Sequence, residues 1–427
     1  METSEPTHAP DRLRVAIVCL EFARAQRMRS LAEGLVALGH EVVFLTSEAG
    51  ADDPRFDVVA IPYTSAAHAA KNAAGLTADA NLAAEARKRG RSAEKAVRAA
   101  ARMADVLLRH PDKYRGWIGA VKRFLAQAPT PLAGVDLVIA STPPPSALFV
   151  GRMVADHCRT PLVYDFRDLW TDNPSYTLGP LRKAFDRIPE RRLVDRADAL
   201  TTVTGHLKAT LDSRFSPPAH AIYTGVDPEP WRPQAPRVPD ELLRLGHFGV
   251  WYTGRRTIRP LAESIRRLAD AGTIDATRVR IEMFGLTDDS VARDAAKCGL
   301  SDALVEHGWV DPGDMPRELA RVDVALLLAW PEDVWSVPLK THHYLAAGKS
   351  VLVLGASPDS ELACLLEGTE GVTFAYTDED IDTALTGYWR RWSAGESLDV
   401  TATDRMPVTA ESMAAQFARV AEEVTRR

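Results

Sequence analysis

The chain has 427 residues, of which 46% are hydrophobic and 26% are charged, and its formal net charge at pH 7 is −6. This composition is typical of a globular protein and excludes a disordered chain, a collagen-like repeat and a disulfide scaffold. The length predicts two or three domains. The acidic balance argues against general nucleic-acid binding, which requires an excess of basic residues.

Targeting and redox signals predict a cytoplasmic protein. Residues 1–12 are polar and contain proline, so they do not resemble a signal peptide. The sequence has no run of about 18 apolar residues, so we expect no transmembrane segment, although contact with a membrane surface stays open. The cysteines are widely spaced without a metal-ligand pattern, which favours reduced buried thiols; they are Cys19, Cys158, Cys298 and Cys364.

Short apolar segments alternate with helical patterns through the first half of the chain. A helix is predicted over 28–38, where apolar residues recur at helical spacing and Gly39 follows. Strands of the fully apolar kind found in parallel sheets are predicted at 14–20, 42–46, 57–61, 136–140, 161–166 and 199–203. Residues 66–128 are rich in Ala, Arg and Lys. We interpret them as a helical insertion that contacts an acceptor or a lipid head group, or else as a plain solvated helix pair.

A proline-rich segment separates two similar halves. Its repeated prolines rule out a helix or a central strand, so residues 228–242 are predicted to be a linker between an N-terminal domain (1–227) and a C-terminal domain (243–405). In the second half, strands are predicted at 243–249, 278–285, 305–310, 322–328 and 350–355, and helices near 260–270, 288–298 and 339–347. An amphipathic helix within 406–427 is expected to pack back on the N-terminal domain.

The predicted fold class is α/β, with two Rossmann-like, doubly wound parallel-sheet domains facing each other across a cleft. After the first strand of the second domain, Gly249-Val-Trp-Tyr-Thr-Gly254-Arg255-Arg256 leads into a helix that starts near Pro260. Glycines let the backbone approach an anion, and a helix N-terminus and paired arginines supply positive charge. The loop is therefore a candidate diphosphate site, although strand–loop–helix turns with arginines are also common without a ligand.

Lys340 is the second candidate cation. It stands at the start of the helix 339–347, at the same end of the predicted sheet as the glycine loop. Its functional interpretation is a contact with diphosphate, and the alternative is a solvated lysine at a helix start. The small residues Ala346, Ala347 and Gly348 allow this helix to pack closely on the sheet.

Polar residues also follow two strands of the first domain. Asp168 and Trp170 come directly after the strand 161–166, and Ser141 follows the strand 136–140. Loops at the carboxyl ends of parallel strands are where α/β domains place ligand contacts. We therefore interpret these three residues as candidate acceptor contacts.

The order and spacing of these motifs resemble those of the family 4 glycosyltransferases, which have the two-domain GT-B fold. The likeness runs from about residue 13 to the final helix. The matching segments are LAEGLVALGHEVVFLTS, DLVIASTPPPSA, DFRDLWTDN, RADALTTVT, YTGVD, HFGVWYTGRR and PLKTHHYLAAGKSVLVLG. The last segment is similar to the family's P-S-K-x-x-E-Y-x-A-A-G-K-P-V motif.

The resemblance implies a retaining transferase that binds a nucleotide-diphosphate sugar mainly on its C-terminal domain, without a metal ion or other cofactor. Carried over by position, Arg255 or Arg256 and Lys340 would hold the diphosphate and stabilise its charge as it departs. The residues that would border the base are Phe284, Gly285, Trp309 and Val310. The formal DxD match, Asp378-Glu-Asp380, lies in an acidic run that we expect to be solvated.

Two positions depart from the family pattern. The family's Glu-x7-Glu pair falls at Trp335 and His343. His343 can accept from ribose hydroxyls through a ring nitrogen, or it is structural together with His342. Trp335 cannot accept a hydrogen bond, so an altered or unusual donor sugar is implied. The loop after the first strand is not glycine-rich, and its Glu21 and Arg24 are expected to contact the acceptor or the donor.

The expected function is transfer of a sugar from a GDP-, UDP- or dTDP-sugar to a small-molecule acceptor in specialised-metabolite or antibiotic biosynthesis. Arg255 and Lys340 are the expected catalytic cations, and Asp168 or a histidine is expected to assist. The expected partners are the nucleotide sugar and the acceptor, not nucleic acid. The alternatives are transfer to a thiol, an envelope polysaccharide glycosyltransferase, an epimerase or phosphorylase on the same fold, and a non-catalytic sugar-nucleotide binder.

Overall fold

The computed structural model describes residues 12–63, 110–173, 179–232, 235–400 and 405–426. The chain divides into two units, one formed by residues 1–223 with 410–427 and the other by residues 224–409. Each unit is built on a parallel sheet connected through helices, which confirms the predicted α/β class with two Rossmann-like domains. Most of the predicted insertion, residues 64–109, lies outside the described residues.

The first unit contains a fully parallel sheet. Its described strands are β1 (Arg14–Val18), β2 (Glu41–Thr46), β3 (Asp57–Ala60), β4 (Leu137–Thr142), β5 (Leu162–Phe166), β6 (Ala199–Thr202) and β7 (Ala219–Ala221). Their order across the sheet is β3-β2-β1-β4-β5-β6-β7. The order reverses between β1 and β4, which is the type of switch point at which doubly wound sheets bind ligands. β4 and β5 are buried along their whole length, as central strands of such a sheet require.

Helices of the first unit complete its core. The described ones are α1 (Gln26–Ala37), α2 (Arg115–Leu125), α3 (Ser146–Cys158), α4 (Pro180–Val194), α5 (Gly205–Arg214) and the C-terminal helix (Ala410–Thr425). α2 buries Trp117 completely and packs against α3. The C-terminal helix packs against α1. A Cβ on Gly34 would lie 2.4 Å from the Cβ of Ala414, so glycine at this position lets the two helices approach closely.

A buried ion pair joins α1 to β5. Arg27 Nη2 lies 3.0 Å from Asp165 Oδ1, and both side chains are almost fully buried. Ser141 and Thr201 each donate a hydroxyl hydrogen bond to Asp165 at 2.9 Å. The Arg27 guanidinium also lies 5.1 Å from the ring centre of Phe417 in the C-terminal helix. These partners compensate the charge of the carboxylate, which is why it can be buried.

The second unit has the same doubly wound plan. Its described strands are β8 (Leu243–Phe248), β9 (Val279–Phe284), β10 (Leu304–Gly308), β11 (Val324–Leu328), β12 (Ser350–Leu354) and β13 (Val372–Ala375). They form a parallel sheet in the order β10-β9-β8-β11-β12-β13, which reverses between β8 and β11. The described helices are α6 (Arg259–Asp270), α7 (Asp289–Lys297), α8 (Met315–Ala320), α9 (Leu339–Ala346), α10 (Glu361–Leu366) and α11 (Asp378–Ser393). None of the helices in the described ranges is both long and apolar enough to span a bilayer.

The residues predicted as a linker make specific contacts within the second unit. Residues Glu229–Trp231 form a short 3-10 helix, and the ring of Trp231 stacks on His343 with ring centres 3.8 Å apart. Arg237 Nε lies 2.7 Å from Asp323 Oδ1. This segment is therefore attached to the second unit by aromatic and ionic contacts.

The acidic run that contains the formal DxD match forms the first turn of α11. The side chain of Thr377 accepts from the Asp380 amide, and the Asp380 carboxylate accepts from the Thr377 amide. This reciprocal capping box places the carboxylates at the positive end of the helix. The described residues contain no cluster of three His, Cys, Asp or Glu side chains arranged to hold a metal ion.

Candidate functional site

Loops that contain glycine meet at the carboxyl edge of the second sheet, beside its switch point. The Gly249 amide, after β8, donates to the carbonyl of Phe284 at 2.8 Å. The Gly285 amide, after β9, donates to the carbonyl of Gly308 at 2.7 Å. A Cβ at Gly285, whose φ is +141°, would lie 2.2 Å from the Gly249 carbonyl oxygen. Glycine is therefore required there, and Gly254, with a φ of +75°, turns the first loop.

Lys340, in the first turn of α9, reaches the end of β8. Its Nζ donates to the carbonyl of Phe248 at 2.9 Å and to His247 Nε2 at 3.1 Å. His247 Nδ1 lies 3.0 Å from the carbonyl of Leu326, so Nδ1 carries the proton and Nε2 accepts. Two acceptors within the described ranges thus face the three N–H donors of the ammonium group. Gly249 lies beside the ammonium group, since a Cβ at that position would be 3.5 Å from Nζ.

Positive charge is concentrated at this position. Burial, followed by the charge of Arg256, holds the pKa of Lys340 well below its usual range. Burial also lowers the pKa of Arg256. Burial and then the charges of both cations lower the pKa of His247, which keeps its ring neutral. Among the described residues no carboxylate forms an ion pair with either cation. The Asp333 carboxylate acts on Arg256 from beyond ion-pair distance, and a bound anion would add counter-charge and raise both pKa values again.

The two arginines of the glycine loop differ in burial. Arg256 is 7% exposed, and its Nη1 donates to the carbonyl of Val250 at 2.7 Å. Its guanidinium lies 4.7 Å from the ring centre of Tyr252 and 5.3 Å from that of Trp330. Arg255 is exposed and lies 5.5 Å from the ring centre of Trp330. The loop therefore fixes Arg256, while Arg255 keeps its side chain at the surface.

The residues predicted to border the base lie at the ends of β9 and β10. Phe284 is buried, and its ring stacks between Phe248 and His307, with ring centres 4.2 and 4.1 Å away. Val310 is partly buried against the core, whereas Trp309 is 67% exposed. Trp309 thus offers an accessible aromatic face directly after β10, which suits stacking on a planar base.

His343 is enclosed by Trp231. The two rings are 3.8 Å apart and almost parallel, at 11°. Both ring nitrogens of His343 and Nδ1 of His342 are buried with no hydrogen-bond partner in the described part of the chain. Burial lowers the pKa of His343 to about 3 and that of His342 to about 4, so both rings are neutral at pH 7. A neutral His343 thus keeps one ring nitrogen that can accept a hydrogen bond from a hydroxyl group. Trp335, the other position that departs from the family pattern, is partly buried.

The three side chains predicted as acceptor contacts occupy different environments, and Ser141 lies within β4 and not after it. Ser141 is fully buried and donates to Asp165. Trp170 packs in the core, with its ring centre 6.2 Å from that of Phe149. Asp168 is exposed in the loop after β5. The structure does not bring these three side chains to one surface, and their contact with an acceptor stays a prediction.

Glu21 and Arg24, the other predicted acceptor contacts, do share a surface. They line a cavity of about 230 Å³ in the first unit. Its other lining residues come from the loops after β1, β4 and β5, from the start of α1, and from the residue before α2: Cys19, Leu20, Ala25, Tyr114, Pro143, Pro144 and Arg167.

Three side chains that shape these sites are not among the predicted site residues: His247, Trp231 and Arg167. His247 is the penultimate residue of β8, where alternation alone suggests a core position. Trp231 lies among prolines, which indicated only a linker. Arg167 had a signal, because it directly follows β5 in the DFRDLW segment, but the acids and Trp170 of that segment attracted the functional interpretation.

Part of this chain is similar to a known protein family. Residues 24–227 match the family described as glycosyl transferase 4-like domain. A curated relative is TuaH of Bacillus subtilis (strain 168), described as a teichuronic acid biosynthesis glycosyltransferase, which is 22% identical over 200 residues. The alignment covers 45% of this chain and 49% of TuaH, so the chain spans about half the length of this relative.

Solved structures share the fold over nearly the whole chain. Sucrose-phosphate synthase from Thermosynechococcus elongatus has a TM-score of 0.63 at 12% identity, with 97% of this chain and 100% of that chain covered. Anabaena Alr3699/HepE, solved in complex with UDP and glucose, has a TM-score of 0.54 at 13% identity, with 96% and 98% covered. The GT-B type of fold and the resemblance to family 4 glycosyltransferases are thereby confirmed. The matched model is described as a glycosyl transferase 4-like domain, in agreement with the predicted enzyme class.

Proposed function

We propose that this protein is a metal-independent, retaining glycosyltransferase that moves a sugar from a GDP-, UDP- or dTDP-sugar to a small-molecule acceptor. The observation that carries the proposal is the group of Lys340 and Arg256 beside the glycine loop after β8. Fixed cations and bare backbone at the switch point of a parallel sheet favour a phosphate-containing ligand. The glycosyl transferase 4-like match and the UDP and glucose of the Anabaena protein with the same fold support a sugar nucleotide.

The proposed chemistry depends on stabilising the leaving group. When the bond between the sugar and the diphosphate breaks, the diphosphate departs with additional negative charge. Lys340 and Arg256 are held by backbone carbonyls before the reaction, so little reorganisation is needed when that charge develops. Because both groups are largely removed from water, each attracts an anion more strongly than an exposed cation would. Arg255 adds an exposed guanidinium at the same loop.

The nucleoside part of the donor would lie along the ends of β9 and β10. The exposed ring of Trp309 supplies a stacking surface for the base. The unprotonated ring nitrogen of His343, which has no partner among the described residues, would accept from a ribose hydroxyl, as the family's glutamate does at this position. Pairing with ribose would satisfy a buried polar atom that otherwise costs free energy.

In the proposed reaction the acceptor attacks from the side on which the diphosphate leaves, which retains the anomeric configuration of the sugar. In the proposed reaction an oxygen of the departing phosphate takes the acceptor proton, and Asp168 or a histidine assists. Proton NMR of the first-formed product tests this step, because the product should keep the anomeric configuration of the donor. An inverted anomer in the initial product would contradict retention.

A ligand screen tests the donor class. GDP, UDP, dTDP and ADP should be compared by thermal shift, because a ligand that binds only the folded state raises its apparent stability by mass action. We expect one nucleoside diphosphate to shift the melting temperature more than its monophosphate does. A protein that responds to none of the four would contradict the proposed donor class.

Variants test the assignment of the cations. Replacing both Arg255 and Lys340 by Ala should lower kcat/KM by at least about 100-fold, since removing one preorganised donor costs about 10²–10³ in rate. The matched control is Lys297→Ala, an exposed lysine in the last turn of α7 of the same unit. Near-wild-type turnover in the double variant would contradict the assignment.

Metal independence is tested directly with a chelator. The charge compensation proposed here comes from lysine and arginine, so dialysis against EDTA should leave turnover within about twofold of the untreated enzyme. A loss that added Mg²⁺ or Mn²⁺ restores would show that a metal takes part.

An envelope glycan acceptor is a second candidate, and the relative TuaH favours it because its description names teichuronic acid biosynthesis. Transfer to soluble small molecules and to lipid-linked or polymeric glycans should be compared with one donor. Product formation with only the glycan acceptors would replace the small-molecule proposal. Matched hydroxyl and thiol acceptors in the same panel distinguish O- from S-transfer, and an incubation without acceptor reveals an epimerase through an isomerised sugar nucleotide.

A further inference from the structure

The cavity of the first unit lies where a doubly wound sheet binds ligands. It is lined by the loops that follow β1, β4 and β5. β1 and β4 are the strands between which the order of this sheet reverses. In the second unit, Lys340 and Arg256 lie near the equivalent point, where the strand order reverses between β8 and β11. Each unit therefore has a charged site at its own switch point.

Arginines outnumber carboxylates among the described residues that line this cavity. Arg167 Nη2 donates to the carbonyl of Pro143 at 2.5 Å, which holds the guanidinium at the wall. Its Nε is enclosed and has no acceptor among the described residues. In the same ranges neither Arg24 nor Arg167 forms an ion pair with a carboxylate. Burial raises the pKa of the Cys19 thiol to about 11, so this group adds no negative charge at pH 7. Two arginines and one carboxylate, that of Glu21, therefore line the cavity.

We infer that this cavity binds an anionic group of the acceptor, a phosphate or a carboxylate, through Arg24 and Arg167. Guanidinium groups offer paired donors that match the oxygens of both anions. Glu21 then accepts from a hydroxyl next to the anion. The substrate class is a sugar or polyol that carries a phosphate or a carboxylate. The identification of this ligand as the acceptor rests on the proposed function, whereas the anion site itself does not.

The volume of the cavity limits how much of the acceptor can bind inside it. A volume of about 230 Å³ is below the about 300–1,000 Å³ of sites that enclose a drug-sized ligand. The cavity therefore holds one charged end of the acceptor and leaves the rest outside. The rings of Tyr114 and the prolines Pro143 and Pro144 supply the apolar part of the wall, against which a sugar or polyol carbon chain packs.

Calorimetric titration with inorganic phosphate and glucose 6-phosphate tests the site, with glucose as the uncharged control. We expect saturable binding of both phosphates below about 10 mM and none of glucose. Arg24→Gln and Arg167→Gln should each weaken binding at least about tenfold, which corresponds to about 1.4 kcal/mol. Glu21→Gln should strengthen the binding of inorganic phosphate, because it removes a like charge. If these residues had only a structural role, the arginine and glutamate variants would not change the phosphate affinity in opposite directions.

Further variants locate the bound phosphate and control for folding. Arg123→Gln, an exposed arginine in the last turn of α2, should bind phosphate like the wild type. Arg167→Lys should retain more affinity than Arg167→Gln, with an unchanged circular dichroism spectrum. Lys340→Ala should leave intact the component of phosphate binding that Arg24→Gln and Arg167→Gln weaken.

The outcomes separate this inference from the proposed function. Phosphate binding that is lost in Lys340→Ala but kept in the Arg24→Gln/Arg167→Gln double variant would assign the anion to the second unit and overturn the inference, while the proposed function stands. No saturable phosphate binding by the wild type would also overturn it. Binding that depends on Arg24 and Arg167 supports the anion site even if no sugar transfer is found.

Discussion

Mild acid should destabilise this protein through His342 and His343. Burial lowers their pKa values to about 4 and about 3 in the folded state, whereas the unfolded chain has the ordinary value of about 6.5. Between these values the unfolded state binds protons that the folded state does not. Stability therefore rises with pH in this window, and it is lost as the pH falls from about 6.5 towards 4.

The magnitude follows from the difference in proton binding. At pH 5 each histidine lowers the free energy of unfolding by about 2 kcal/mol relative to pH 7.5, because the pKa of the unfolded state lies about 1.5 units above pH 5. Both side chains are less than a tenth exposed, so solvent screening does not reduce this figure much. Together they account for about 4 kcal/mol, out of a typical total stability of about 5–15 kcal/mol.

Urea unfolding at pH 5 and pH 7.5 measures the effect. His343→Phe removes one titrating group and keeps an aromatic ring to stack on Trp231, so the pH-dependent loss should shrink by about 2 kcal/mol. The control is His206→Gln, at an exposed histidine in α5 of the first unit. If His343→Phe and the wild type lose the same stability between the two pH values, the buried neutral state of His343 is contradicted.

Three other perturbations have expected outcomes. Asp165→Ala leaves the buried charge of Arg27 without its carboxylate, so thermal unfolding should show a loss of about 3–5 kcal/mol; a change in melting temperature below about 2 °C would contradict this. Gly285→Ala should abolish nucleotide binding, because its Cβ would lie 2.2 Å from the Gly249 carbonyl oxygen; normal calorimetric affinity for nucleotides would refute the account of the loops. Arg256→Lys keeps the positive charge but loses the planar contact with two aromatic rings, so KM for the donor should rise about tenfold or more. An unchanged KM would show that the charge alone is sufficient for donor binding.

The buried strands could be predicted because burial on both faces requires a continuous run of apolar residues, which is a local feature of the sequence. β4 and β5 are continuous apolar runs, and such runs occur where both faces of a sheet are covered. β7 and β13 are edge strands, and β7 has only three residues, Ala219–Ala221, so neither has a comparable pattern. The acidic start of α11 was interpreted only as a solvated run, although its Thr-x-x-Asp spacing is that of a capping box.

The candidate sites could be predicted only where their parts are close in sequence. The glycine loop follows β8 directly, and Lys340 starts a helix, so both carry local signals. The contact between Lys340 and His247 joins residues 93 positions apart, and no local pattern encodes it. The stack of Trp231 on His343 is likewise a tertiary contact between distant segments. The residue types at the strand ends thus indicated the kind of ligand. The contacts between distant residues that hold each side chain in place could be seen only in the folded structure.

The central claim is that Lys340 and its neighbours hold the diphosphate of a sugar nucleotide. Calorimetry of the preferred nucleoside diphosphate and of its monophosphate, with wild type and Lys340→Ala, tests it most directly. We predict that the wild type prefers the diphosphate by at least about tenfold, or about 1.4 kcal/mol, and that Lys340→Ala loses most of this preference. Equal affinity of the wild type for both nucleotides, or a preference that survives in Lys340→Ala, would contradict the account.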